Sequence, residues 1–399
     1  MFTSLNKGYE PRPFDILDDN THAVGIRSRL LKDCGSLRWT FGAELFLDRY
    51  EYKNYENLYA DYPIGTGSVK GDLLSHFNEN RRYANIFAET NYDLSKKTLL
   101  SLGLNYNTTS YKVKDYMVSN QDVIKSGQYR FRGMLSPKVG ISHKIFNKLT
   151  IYTNVAHGFS PPTTSETLLP DGKINTDIKP EHGWNTEIGL RARAIKENLY
   201  FKLALFRMGV RDMLVARRTA EDEFIGVNAG KTIHRGMEWG ITYRIIHNKK
   251  WTLNSYLNGS FNDFYFADFI DDGNNYSGNK LTGVPSEIIN AGIDFNTISG
   301  FYGNINYNYT GSFPMNDANS LFTDAYRLVN MKLGFAKEFS NKLKMDVSMG
   351  LNNVFNEKYA SQILINAIGF GSSQPRYYYP GNPLNYYFGV MLGYQFDKN

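Results

Sequence analysis

Seven histidines, one cysteine and 39 carboxylates are the side chains of this 399-residue chain best suited to hold a metal or move a proton. The histidines (His22, His76, His143, His157, His182, His234 and His247) are scattered, with no two at ligand spacing, so each reads as a surface or channel residue. Cys34 has no partner for an internal disulfide and reads as an inert turn residue. Residues 65–71, GTGSVKG, carry the glycines and lysine of a phosphate loop. They neither follow a strand nor open a helix, which leaves a surface loop. Residues 268–275, DFIDDGNN, offer carboxylates to Ca²⁺ but lack the spacing and closing Glu of a helix–loop–helix site. No Gly-x-Ser-x-Gly and no nucleophile–base pair is found, so the chain reads as no enzyme and needs no cofactor or metal.

What remains is recognition. Tyr50, Tyr52, Tyr55, Tyr59 and Tyr62 cluster in one stretch, and Arg376, Tyr377, Tyr378 and Tyr379 in another. Tyrosine supplies apolar area and a hydroxyl at low entropic cost, which suits capture of a rigid, polar-edged small molecule. An aromatic belt at a membrane surface accounts for the same residues equally well.

The elements that position these residues are strands. In residues 341–360, NKLKMDVSMGLNNVFNEKYA, a polar turn is followed by strict alternation. Leu343, Met345, Val347, Met349 and Leu351 share one face, and Lys344, Asp346, Ser348, Gly350 and Asn352 the other. The same pattern recurs at 22–31, 36–50, 82–94, 98–112, 131–146, 148–159, 183–196, 198–217, 232–247, 250–267, 286–298, 301–313, 325–339, 342–355 and 384–396. These are about fifteen strands, with residues 1–10 as the end of a further one. Tight polar turns alternate with long connections near 51–80, 113–130, 160–181, 218–231, 268–284, 314–324 and 356–383.

A sandwich has no reason to sort its loops by parity, whereas an up-and-down transmembrane barrel does. No apolar run reaches the length of a membrane-spanning helix, and the mean hydropathy is −0.43. Barrel strands hide only alternate residues in lipid, so that value is compatible with them. Aromatics near strand ends, Trp39, Tyr152, Trp184 and Trp251, fit an interfacial belt. Charges such as Glu187, Arg191, Arg193, Glu238 and Arg244 describe a wet interior. A net charge of +6 without a basic run leaves no nucleic-acid footprint.

Four segments in order resemble TonB-dependent outer-membrane receptors. Residues 154–189 carry NVAHGFSPPTTSETL and INTDIKPEHGWNTEIG, and residues 227–240 read VNAGKTIHRGMEWG. Residues 351–359, LNNVFNEKY, precede the final loop, and 378–396, YYPGNPLNYYFGVMLGYQF, close the chain. Leu384 stands where an Arg is common.

The resemblance implies an antiparallel barrel of the 22-stranded kind in a bacterial outer membrane, with residues 1–399 as its C-terminal part. It further implies a signal, a TonB-engaging segment, a plug domain and about seven strands ahead of Met1. A barrel opened there would leave about five backbone groups unpaired in hydrocarbon, of order 20 kcal/mol, so transport by this chain alone is not expected. The function implied is energy-coupled uptake of a ferric siderophore or similar chelate, with ligand held by the Tyr/Arg loops. The implied partners are the TonB complex, outer-membrane lipid, the barrel-assembly machinery and a small metal chelate. Phe396 closes the final hairpin and is the residue assigned to barrel assembly. A sixteen-stranded passive porin is the rival, since the length suits it and it needs no plug.

Overall fold

Alternating side chains put the backbone into long antiparallel strands, and two compact units contain them. The computed structural model describes residues 1–63, 65–117, 126–163, 166, 175, 177–220, 223–271, 273–340, 343–367, 369, 375 and 377–396. One unit comprises Met1–Ile141, Val155–Trp184 and Val210–Gly230; the other comprises Ser142–Asn154, Asn185–Gly209 and Lys231–Asn399.

In the first unit, β1 (Phe2–Pro11), β2 (Asp15–Asp33), β3 (Leu37–Asn57), β4 (Lys70–Ser95), β5 (Thr98–Asp115) and β6 (Gly127–Arg130) pair in succession, all antiparallel. The register runs without a slip from Asp15↔Glu56 to Asp33↔Arg38 between β2 and β3. Strands β7 (Met134–Phe146), β8 (Leu149–Ser160), β9 (Glu181–Ala194), β10 (Leu199–Ala220) and β11 (Glu223–His247) contribute residues to both units.

The second unit adds β12 (Trp251–Asp268) and two short strands, β13 (Ile270–Asp271) and β14 (Asn274–Asn275). It continues with β15 (Glu287–Thr297), β16 (Phe301–Thr310), β17 (Tyr326–Ser340) and β18 (Leu343–Asn352). The last three are β19 (Ala360–Ile363), β20 (Tyr378–Pro380) and β21 (Asn385–Tyr394). Here the antiparallel order is β11–β12–β15–β16–β17–β18–β21, while β13–β14 and β19–β20 are separate small hairpins. Among the described residues sixteen strands reach ten residues or more, β1 included, which meets the expected number.

The two faces of these strands have opposite chemistry. On β21, Tyr386, Phe388, Val390, Leu392 and Tyr394 stand in one row, 56–83% exposed. The same face continues on β18 through Leu351, Met349, Val347, Met345 and Leu343, their register partners. An exposed apolar row of that length would be a liability in water and is favourable against hydrocarbon. On the opposite face Tyr302 Oη donates to Asp346 Oδ1 at 2.7 Å. Asn308 Nδ2 donates to Asn290 Oδ1 at 2.6 Å, and Asn290 Nδ2 to Asn258 Oδ1 at 3.3 Å, so β16, β15 and β12 share a polar ladder. The three asparagines are cross-strand register partners, the positions where side chains of one face meet.

Several expected boundaries shift. The connection expected over 51–80 contracts to 58–69, because β3 runs on to Asn57 and β4 begins at Lys70. Tyr50, Tyr52 and Tyr55 are therefore strand residues. The connection expected over 218–231 is likewise taken up by β10 and β11. Alternation in the sequence fades where both faces are polar, but backbone pairing continues as long as a neighbour strand is there to pair with. The parity of connection lengths has two exceptions on the long-loop side, the three residues 12–14 between β1 and β2 and the two residues 221–222 between β10 and β11. The turn residues Asn341 and Lys342 lie outside the described residues.

Candidate functional site

At the long-loop end of the second unit, three connections, 269–286, 311–325 and 353–384, bind one another rather than standing apart. Gly283 N donates to Pro314 O at 2.9 Å, and Asn366 N to Met315 O at 2.9 Å. Lys280 N donates to Asn319 Oδ1 at 2.7 Å, and Asn319 Nδ2 returns a bond to Lys280 O at 3.0 Å. Asp317 is the knot: Thr282 Oγ1 donates to its Oδ1, Asn366 Nδ2 to its Oδ2 at 3.0 Å, and Asn279 Nδ2 to its carbonyl at 2.7 Å. Burial pushes the Asp317 carboxyl above the ordinary aspartate range; the bonds from Thr282 and Asn366 oppose that shift and the nearby Asp271 adds to it.

Beside this knot lies a pocket of about 250 Å³, lined by Phe313, Asp324, Tyr326, Lys358, Tyr359 and Tyr378 among others. Tyr326 and Tyr359 present rings 5.2 Å apart at 34°. Two aromatic faces with one carboxylate and one ammonium give apolar contact, hydroxyl donors and both signs of charge within one cavity. That set matches a flat or rigid organic ligand with polar edges.

The residues expected to bind ligand fall in three places. Tyr378 lines the pocket. Tyr379 shares β20 with it, both more than half exposed, and Tyr377 accepts from Leu364 N at 2.9 Å through its carbonyl. Arg376 lies outside the described residues. In the first unit, Tyr55 lies under Lys70 Nζ, 4.3 Å from the ring centroid, and Lys70 also pairs with Asp18 at 2.5 Å. Tyr59 begins a single 3₁₀ turn (Tyr59–Asp61) and Tyr62 follows it, both exposed. Tyr52 stacks on Phe77 at 4.8 Å, a packing role. Phe396 lies just past β21, 81% exposed, with its ring edge-on to Tyr394 at 4.9 Å.

Two features escaped the sequence. The first is the approach of His157 and His182, whose ring nitrogens stand 3.5 Å apart across β8 and β9. Their separation of 25 residues carries no motif, because cross-strand register places them together. Asp317 was likewise one acid among many until three loops closed on it. In the acidic stretch, Ile270–Asp271 and Asn274–Asn275 form the small β13–β14 hairpin. Among the described residues no group of three or more His, Cys, Asp or Glu could hold a metal ion. Among them, too, no helix is long and apolar enough to cross a membrane, which has no bearing on strands.

Comparison with known proteins agrees with this architecture. Residues 3–354 match the family described as TonB dependent receptor-like, beta-barrel. The ferrichrome outer membrane transporter/phage receptor of Escherichia coli (strain K12) is 23% identical over 271 residues, 66% of this chain and 33% of that protein. The crystal structure of the siderophore receptor PiuA from Acinetobacter baumannii superposes with a TM-score of 0.70 at 16% identity, over 95% of this chain and 56% of that one. The ferric citrate transporter FecA in its unliganded form gives 0.73 at 14% identity, over 97% and 57%. The chain thus spans a third of that curated relative and a little over half of those structures.

Proposed function

The chain belongs to the TonB-dependent receptor-like β-barrel family, a family of outer-membrane receptors and transporters, and on that premise we propose that it is the barrel part of an uptake receptor for a ferric siderophore or similar metal chelate. The observation that carries the proposal is the pocket among the knotted extracellular loops, with Tyr326, Tyr359 and Tyr378 beside Asp324 and Lys358. Aromatic planes bury the organic part of a chelate, and the charged pair fixes its polar edges. The intact machine draws its energy through TonB, and the ligand passes unaltered, so the barrel's own task is binding and enclosure. In this reading Tyr55, Tyr59, Tyr62, Arg376, Tyr377 and Tyr379 supply further loop contacts, and Phe396 serves recognition by the barrel-assembly machinery. The family match over residues 3–354 favours this over a passive diffusion channel.

The test is uptake of radiolabelled iron presented as ferric citrate, a ferric hydroxamate or a ferric catecholate by cells expressing the receptor. One of these is taken up with TonB present and not without it. Replacing Tyr377, Tyr378 and Tyr379 together by Ala weakens its binding at least tenfold. Unchanged affinity in that variant sinks the pocket assignment, and uptake independent of TonB sinks the mechanism.

A further inference from the structure

At the extracellular ends of four strands in the first unit, Ser136 (β7), His157 (β8), His182 (β9) and Asp212 (β10) form a chain of contacts. His157 Nε2 faces His182 Nδ1 at 3.5 Å. The outer nitrogen of each ring has its own partner: His157 Nδ1 lies 3.1 Å from Ser136 Oγ, and His182 Nε2 lies 3.7 Å from Asp212 Oδ2. Trp184 closes one side, its ring edge-on to His157 at 5.2 Å. Asp212 holds a left-handed backbone, φ 53°, and its carbonyl accepts from Asn228 Nδ2 at 2.8 Å, which anchors the main chain that carries the carboxylate.

A direct hydrogen bond and a shared metal ion would set different distances between the inner nitrogens. A well-formed hydrogen bond from a ring N–H would bring them closer, as N–H···O bonds are at about 2.7–3.2 Å. Two imidazole nitrogens at about 2.0–2.1 Å from one tetrahedral ion stand about 3.3–3.4 Å apart. The observed 3.5 Å fits the second arrangement better. Of the outer contacts, Ser136 lies within hydrogen-bond reach of His157 Nδ1, and Asp212 stands at ion-pair distance from His182 Nε2. The tautomer that opens Nε2 of His157 carries its proton on Nδ1, toward Ser136, and the tautomer that opens Nδ1 of His182 carries its proton on Nε2, toward Asp212. Orientation of each ligating imidazole by a hydroxyl or carboxylate behind it is the usual support of a metal-bound histidine.

We propose that His157 and His182 form a two-nitrogen site for a divalent transition-metal ion of the Zn²⁺ class, oriented by Ser136 and Asp212. Since no third protein ligand joins them among the described residues, the remaining positions belong to water or to a small donor from outside. The His182 side chain is 31% exposed, so the ion has access. A bound ion ties β8 to β9 directly, and β7 and β10 through the supporting residues. This site is independent of the loop pocket and of the chelate reading.

The test is Zn²⁺ titration of the whole chain, refolded in detergent, by calorimetry. Wild type binds one equivalent that His157→Ala and His182→Ala each weaken at least tenfold. Ser136→Ala and Asp212→Asn weaken it about 10–100-fold. His247→Ala leaves it unchanged. Heat-modifiable gel mobility verifies that each variant folds, and the Ser136 and Asp212 variants carry the test if a histidine variant does not. Zn²⁺ binding in His157→Ala/His182→Ala equal to wild type, or no binding by wild type, overturns the proposal.

Discussion

Asp317 and Asn366, 49 residues apart, hold each other twice: Asn366 Nδ2 donates to Asp317 Oδ2 at 3.0 Å, and Asp317 N donates to Asn366 Oδ1 at 3.0 Å. This reciprocal pair joins the last long loop, which gives Lys358, Tyr359 and Tyr378 to the pocket, to the one before it, which gives Phe313 and Asp324. Asn366→Ala removes both bonds and leaves a half-buried carboxylate short of a donor, at a local cost of about 1–3 kcal/mol. Native-state hydrogen exchange should show faster opening at Gly283 and Asn366, whose amides bond across the same loops, with the strand amides of β15–β18 unchanged. Equal acceleration in those strands contradicts a local knot.

The same knot should tighten in acid. Asp317 is raised above the ordinary aspartate value, so its protonated form is favoured by the folded loops. Stability from such a group is full below the unfolded value of about 3.9 and is lost as pH rises through the raised folded value. Loop protection, corrected for intrinsic exchange rates, should therefore fall as pH rises through that window. In Asp317→Asn the fall should vanish. A wild-type profile that climbs with pH has the wrong sign.

Gly350 and Gly389 lie in the final hairpin and should respond unequally to the same change. A Cβ on Gly350 would lie 2.3 Å from Tyr387 Cζ, whereas one on Gly389 meets only Ser348 Oγ at 3.6 Å. Gly350→Ala forces the Tyr387 ring aside and should cost about 1–3 kcal/mol. Gly389→Ala should stay within about 0.5 kcal/mol. Urea unfolding of the chain refolded into lipid vesicles distinguishes them, and similar losses in both would show that the ring moves freely.

The ladder Asn308–Asn290–Asn258 predicts an order of effects. Asn290 is the middle rung and makes both bonds, so Asn290→Ala should destabilise more than Asn258→Ala or Asn308→Ala, by about 0.5–1.5 kcal/mol. The same unfolding measurement ranks the three. An end-rung variant as costly as the middle one would mean water already replaces these bonds.

Strand type and facing were legible in the sequence because they are local. Successive side chains point to opposite faces whatever the neighbours do, so Leu343 to Leu351 announced a two-faced strand without knowledge of its partners. Charge, hydropathy and connection lengths then sufficed for an outer-membrane barrel, and four segments sufficed for the family. Strand ends were less legible: Tyr50–Asn57 has no clean alternation, and its pairing with β4 exists only because β4 is there.

The contacts between distant segments belonged to the tertiary structure alone. A one-residue change of register would carry His182 to the other face of β9 and away from His157, and nothing near either residue encodes that register. Asp317 acquires its partners from Thr282 and Asn366 only when three loops meet. The sequence by itself determined what each strand shows to lipid and to water, since that depends on period two. Which side chains from different strands and loops touch depends on register and loop closure, and those the folded chain decides.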